Sequence, residues 1–82
     1  MKLHDSITVK GVSVTLESDA YTTPDGFHHE YGVWRVTARD IETSKPWRGR
    51  SYKGRAKTFK GETAWMRGEN LFDAIVSELR FS

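Results

Sequence analysis

Apolar and polar residues alternate along the first part of the chain, and this pattern predicts β structure. The apolar positions are Ile7, Val9, Val12, Val14 and Leu16, with Thr and Ser between them. β-Branched residues at a period of two are typical of strands. The phase changes at Lys10-Gly11, where glycine could close a tight hairpin turn or form a bulge within one strand. Because the hairpin arms would be very short, we expect one bulged strand that continues to Tyr21.

A second strand is predicted after a turn at residues 22–26. Pro24 fixes φ at the second turn position, and Asp25-Gly26 tolerates the left-handed conformation that closes the turn. The first two strands should therefore be antiparallel neighbours. The second strand is expected to span residues 32–42. Its predicted core positions are Trp34, Val36 and Ala38, and its other face carries Arg35 and Arg39.

The third predicted strand covers residues 50–60 and follows a loop at residues 44–49 that contains proline and glycine. The alternating set predicted to face the core consists of Tyr52, Gly54, Ala56 and Thr58. The other set points three cations outward, namely Lys53, Arg55 and Lys57. These would lie beside Arg35 and Arg39 of the preceding strand, so that five cations would share one exposed sheet face.

The C-terminal part of the chain predicts a helix. Apolar residues recur there at helical spacing, at Leu71, Phe72, Ile75, Val76 and Leu79. Asn70 is a good N-cap, and Asp73 lies at the third helical position. Residues 64–66 could be a last short strand or the first helical turn. We therefore expect a single α+β domain, residues 1–82, with an antiparallel sheet of three strands, or four, and one C-terminal helix packed on one face.

Charge is divided unevenly along the chain. Residues 32–68 carry ten Lys or Arg and three Asp or Glu, a net charge of +7, whereas the rest carries three and eight, a net charge of −5. The formal net charge of +2 hides this division. A domain of this size buries only about 60% of the surface of its unfolded chain, so a partner surface is expected before a deep active site.

Composition also disfavours several kinds of site. The chain has no cysteine, which excludes disulfides and thiolate metal sites and suits a reducing compartment, and it has no long apolar run for a membrane. We therefore expect a soluble cytoplasmic protein. His28 and His29 lie beside Glu30, but adjacent strand residues point to opposite faces, so no metal site is expected. Nucleophile and nucleotide-loop motifs are missing, so we expect no catalytic residues, cofactor or small-molecule substrate.

The clustered cations predict nucleic-acid binding, DNA in the first instance, because several positive charges on one surface are what a phosphate backbone requires. The predicted contact residues are Arg35, Arg39, Lys45, Trp47, Arg48, Arg50, Lys53, Arg55 and Lys57. Trp47 lies in the proline-containing loop between Lys45 and Arg48, and we expect it to stack on a base or enter a groove. Trp34 and Trp65 are expected in the core.

Two short sequences mark the strands that carry these cations, GVWR at residues 32–35 and RAKTF at residues 55–59. With a following helix, this arrangement resembles the three-stranded DNA-binding domains of plant AP2-type factors and the arm-binding domains of phage integrases, over residues 32–80. The resemblance implies a sheet face in the major groove, with Arg35, Arg39, Lys53, Arg55 and Lys57 as the reading residues. The first strand is additional, and the loop at residues 44–49 is long.

A protein-interaction module is the alternative interpretation. Arg, Trp and Tyr are enriched at binding hot spots, so the basic surface could instead dock on an acidic protein. Small chains of this kind include inhibitors and regulators of host complexes encoded by mobile elements. A homodimer formed through a free sheet edge is a further alternative.

Overall fold

A computed structural model, which describes residues 2–21 and 31–81, shows an α+β fold with a four-stranded antiparallel sheet and one C-terminal helix. The elements are β1 (Lys2–Val9), β2 (Val12–Tyr21), β3 (Tyr31–Asp40), β4 (Lys57–Gly61) and α1 (Ala64–Phe81). The strands lie in chain order, each antiparallel to the next. The predicted fold class is confirmed. The predicted turn at residues 22–26 and the pair His28 and His29 lie outside the described residues.

A two-residue turn at Lys10 and Gly11 separates β1 from β2, so the prediction of a single bulged strand is wrong. Lys10 has a φ of 50° and Gly11 a φ of 78°, and Val9 pairs with Val12 across the turn. Positive φ at both central residues is what a type I′ hairpin turn requires. The first arm is long because β1 begins at Lys2, in a polar stretch whose sequence does not alternate clearly.

The core lies between one face of the sheet and α1. β2 and β3 contribute Val12, Val14, Leu16, Trp34, Val36 and Ala38, all buried. Leu16 pairs with Val36, and Val14 pairs with Ala38, so these side chains share a face. The buried residues of α1 are Ala64, Gly68, Phe72, Ile75, Val76 and Leu79. No described helix or strand covers the opposite face of the sheet, and no helix in the described part of the chain is long and apolar enough to cross a membrane.

Helix α1 begins at Ala64, well before the predicted N-cap at Asn70, which is an exposed residue within the helix. Residues 64–66 are therefore its first turn. Gly68 lies in the helix interior despite its low helix propensity. A Cβ at Gly68 would lie 3.1 Å from Leu16 Cδ1 and 3.3 Å from Trp34 Cβ. The helix backbone therefore packs closely on the sheet at this glycine.

Candidate nucleic-acid interface

The sheet face opposite α1, called the outer face below, contains a shallow concavity of about 510 Å³. Its strand residues are Ser13, Thr15 and Glu17 from β2 and Arg35, Thr37, Arg39 and Asp40 from β3. Arg35 and Arg39 are exposed. They alternate along β3 with Trp34, Val36 and Ala38, which are buried. The predicted phase of this strand is confirmed, and both arginines lie on the uncovered side of the sheet.

A polar floor lies between the two arginines. Thr15 Oγ1 and Thr37 Oγ1 share a hydrogen bond of 2.8 Å across β2 and β3. Arg39 lies opposite Ser13, and Arg35 lies opposite Glu17. Four residues of antiparallel strand span about 13 Å, so a guanidinium stands near each end of a hydroxyl-lined trough.

The segment at residues 44–49 extends the outer face along the part of β3 that does not pair with β4. Asp40 N donates to Lys45 O at 2.9 Å, and Trp47 N donates to Ala38 O at 3.0 Å. Pro46 forms an isolated bridge with Arg39 and therefore follows it on the outer face. Since alternate residues point to opposite sides, Arg48 is directed away from the core, and its side chain lies over the α-carbon of Gly54.

Trp47 packs against the hydrophobic core and is only partly exposed. Its ring is stacked on Tyr52, with centroids 6.4 Å apart and an interplanar angle of 17°. Tyr52 is itself buried, as the sequence predicted for its inward-facing set. Trp47 would have to leave this contact before it could stack on a base, so the arrangement favours a supporting role for the indole beneath Arg48.

Glu78 of α1 holds the turn that presents Arg50. Its carboxylate accepts hydrogen bonds from Arg50 N at 3.0 Å, from Ser51 N at 2.8 Å and from Ser51 Oγ at 2.9 Å. Desolvation raises the pKa of Glu78, but the backbone hydrogen bonds from Ser51 and Arg50 outweigh it and lower the pKa below the ordinary 4.5. The loop is therefore anchored to the helix, and its exposed cations are held in a defined place.

The prediction that five cations share one sheet face is wrong. Lys57 pairs with Val36, which is buried under α1, so Lys57 lies on the helix side of the sheet. Lys53 and Arg55 are not in a strand; they line a groove on that same side, together with Lys57. The cause is local: Gly54 has a φ of 83°, which interrupts an extended chain, and the strand begins only at Lys57.

Lys60 is a cation of the outer face that the predicted contact set omits. It pairs with Val33 on β3, and Thr58 pairs with Arg35. Lys60 is therefore a diagonal neighbour of Arg35, with side chains that start about 7–8 Å apart. Phe59 could have indicated this position. If Phe59 had been predicted to face the core instead of Thr58, Lys60 would have been predicted to face outward.

Arg35 and Arg39 have no carboxylate within ion-pair distance among the described residues, whereas the charge of Arg50 lies near Glu78 and helps to lower the pKa of that carboxyl. The ion pair between His4 Nε2 and Glu69 Oε1, at 3.6 Å, involves none of the predicted contact residues. Those described residues also contain no group of three His, Cys, Asp or Glu side chains placed to hold a metal ion. The outer face can thus offer its guanidinium and hydroxyl donors to a bound anion.

Of the reading residues that the resemblance implies, Arg35 and Arg39 lie on the outer face, whereas Lys57 lies on the helix side of the sheet. No protein-family model, curated protein or solved structure matches this chain.

Proposed function

We propose that this protein binds the phosphate backbone of duplex nucleic acid, DNA in the first instance, with its outer face and the adjoining loop. One observation carries the proposal: Arg35 and Arg39 lie near the two ends of an uncovered, hydroxyl-lined trough, without an ion-pair partner among the described residues. The loop cations Lys45 and Arg48 continue the positive surface at one end, and Lys60 of β4 lies beside Arg35 at the other. Arginine, serine and threonine are the residues that contact phosphate oxygens most readily.

The distribution of charge supports an oriented approach to a polyanion. Residues 32–68 carry a net charge of +7 and supply β3, β4 and the basic loop, whereas the rest of the chain carries −5. Glu69 and Asp73 of that acidic remainder lie on α1, on the covered side of the sheet, although Glu17 lines the outer concavity opposite Arg35. A separation of this kind turns the positive side of a protein toward a negatively charged partner and raises the association rate.

The outer face favours a duplex over a single strand. Single-strand binders stack bases on exposed aromatic rings, and none of the side chains described in the outer concavity is aromatic. A four-stranded sheet is about 14 Å across its strands, from three spacings of about 4.8 Å. A major groove is about 12 Å wide, so the whole face would lie across the phosphates and would not enter the groove. Such binding depends weakly on base sequence.

Salt dependence tests this proposal. If Arg35, Arg39, Lys45, Arg48 and Lys60 each contact one phosphate, the slope of log affinity against log salt should be about −4.5 for duplex DNA. Affinity should then fall about 500-fold between about 50 and 200 mM salt, measured by fluorescence anisotropy of a labelled duplex.

Two double variants locate the site. Replacing Arg35→Gln with Arg39→Gln should reduce the slope by about 1.8. The matched control, Lys2→Gln with Arg67→Gln, removes the same charge from exposed positions on β1 and α1 and should leave the slope near −4.5. Absence of binding at low salt, equal losses in both variants, or tighter binding to a single strand than to the duplex would each contradict the proposal.

A further inference from the structure

A second concave surface lies on the helix side of the sheet, beside β4. It is a groove of about 440 Å³ whose apolar lining comes from Tyr52, Phe59 and Leu71. Its cations are Lys53, Arg55 and Lys57, all exposed. Phe59 and Leu71 pack on the core but remain partly exposed, so an apolar side chain that entered the groove would have apolar partners. This groove is called the β4 groove below.

The β4 groove adjoins a free sheet edge. β4 is the last strand of the sheet and pairs with β3 on one side only. In the described part of the chain, no residue outside β3 makes a backbone hydrogen bond to residues 57–61. Alternate residues of β4 therefore direct N–H and C=O groups outward, and these groups can pair with an added strand.

The charges at this edge select what can pair with it. Two of the five residues of β4 are Lys57 and Lys60, and Lys53 and Arg55 lie nearby. Edge lysines discourage pairing between copies of the same strand, because like charges would then lie opposite one another. The same lysines attract an acidic strand, since opposite charges across a strand pair are stabilising.

We propose that the β4 groove binds an extended acidic segment of a partner protein by strand addition. The backbone of the segment pairs with the free edge of β4, one of its apolar side chains contacts Phe59 and Leu71, and its carboxylates face Lys53, Arg55 and Lys57. A polypeptide fits these features better than a nucleic acid because a nucleic acid has no N–H and C=O ladder to pair with β4. This surface is separate from Arg35 and Arg39 of the outer face.

A random-peptide display library, selected on the full-length protein, supplies the ligand for the test. The enriched peptides should be acidic, with an apolar residue flanked two positions away by carboxylates and with no central proline. In ¹⁵N-labelled protein, the most strongly enriched synthetic peptide should shift the amide signals of residues 57–61 and of Leu71. Placing proline at the centre of that peptide should weaken binding by about tenfold or more, because a pairing N–H is lost.

Protein variants distinguish this surface from the outer face. Lys57→Glu should weaken binding of the acidic peptide by about tenfold or more through like-charge repulsion. Leu71→Ser should also weaken it, and circular dichroism shows whether each variant is folded. Arg35→Gln with Arg39→Gln should leave binding of the acidic peptide unchanged. The outcome of the peptide experiment is therefore independent of whether the protein binds duplex DNA. The proposal is overturned if no peptide is enriched or if the enriched peptides are not acidic. It is also overturned if the amide signals that shift belong to the outer face, or if the shifts arise from self-association of the protein.

Discussion

Gly68→Ala tests the packing that gives the sheet its covered and uncovered faces. Gly68 is buried in the second turn of α1, where the helix backbone crosses Leu16 and Trp34. Two effects of opposite sign compete at this position. Alanine favours the helical conformation over glycine by about 0.8–1.0 kcal/mol. Its methyl group, however, needs space against the sheet.

The structure indicates that the steric effect is the larger one. The added Cβ would lie 3.1 Å from Leu16 Cδ1 and 3.3 Å from Trp34 Cβ, which is closer than ordinary van der Waals contact. Leu16 and Trp34 are each 1% exposed, so neither has open space to move into. Overpacking of a well-packed core costs about 1–3 kcal/mol. We therefore expect Gly68→Ala to reduce the free energy of unfolding by about 1 kcal/mol, after the propensity gain is subtracted.

Thermal and urea unfolding, followed by circular dichroism, measure this change. A loss of 1 kcal/mol corresponds to a decrease of about 4–8 °C in Tm for a domain of this size. Ala74→Gly is the matched control, because Ala74 is exposed in the same helix. It should lower stability by about 0.8–1.0 kcal/mol through propensity alone.

The pair of variants gives a clear refutation. If Gly68→Ala raises Tm by as much as Ala74→Gly lowers it, the methyl group meets no obstacle and the helix does not approach the sheet as described. The assignment of Arg35 and Arg39 to an uncovered face would then lose its main structural support.

Two further changes test local features of the fold. Because the pKa of Glu78 is lowered in the folded protein, its ionised form stabilises the fold above the ordinary pKa of 4.5, and this contribution is lost as the pH falls through the lower folded value. The difference in Tm between the wild type and Glu78→Gln should therefore be constant near neutral pH and shrink in acid; a difference that grows in acid would contradict the hydrogen bonds to Ser51 and Arg50. Gly11→Ala should cost about 1–2 kcal/mol in urea unfolding, since Gly11 has a φ of 78° but no heavy atom within 4 Å of an added Cβ. An unchanged urea midpoint would argue against the two-residue turn.

The sequence was sufficient to predict the strands in which every second residue is apolar and buried. Trp34, Val36 and Ala38 are separated by polar residues, and they lie in the core as predicted. It was insufficient for β1, since only Ile7 and Val9 of that strand are partly buried and the residues before them are exposed. A strand of exposed residues is held by backbone pairing to its neighbour, and this pairing leaves no apolar period in the sequence.

The candidate site was predictable in its residue types but not in its geometry. The number of cations between residues 34 and 60 follows directly from the sequence, whereas the face of each depends on where the third strand begins. An unbroken strand from residue 50 with Tyr52 inward would place Lys57 outward. The turn held by Glu78 and the positive φ at Gly54 interrupt the extended chain before Lys57, and the first of these depends on a contact distant in sequence.

The phase of one short strand explains why a single basic stretch supplies two surfaces. Phe59 is partly buried against the core, and its neighbours Thr58 and Lys60 pair with Arg35 and Val33 on the outer face. Lys57, two residues before Phe59, must then share the helix side with it, because side chains alternate along a strand. Cations from one basic stretch of sequence therefore lie on both faces of the sheet. A substitution of Lys57 can change the β4 groove while leaving Arg35 in place, which is why the duplex and the acidic strand can be tested independently on one small domain.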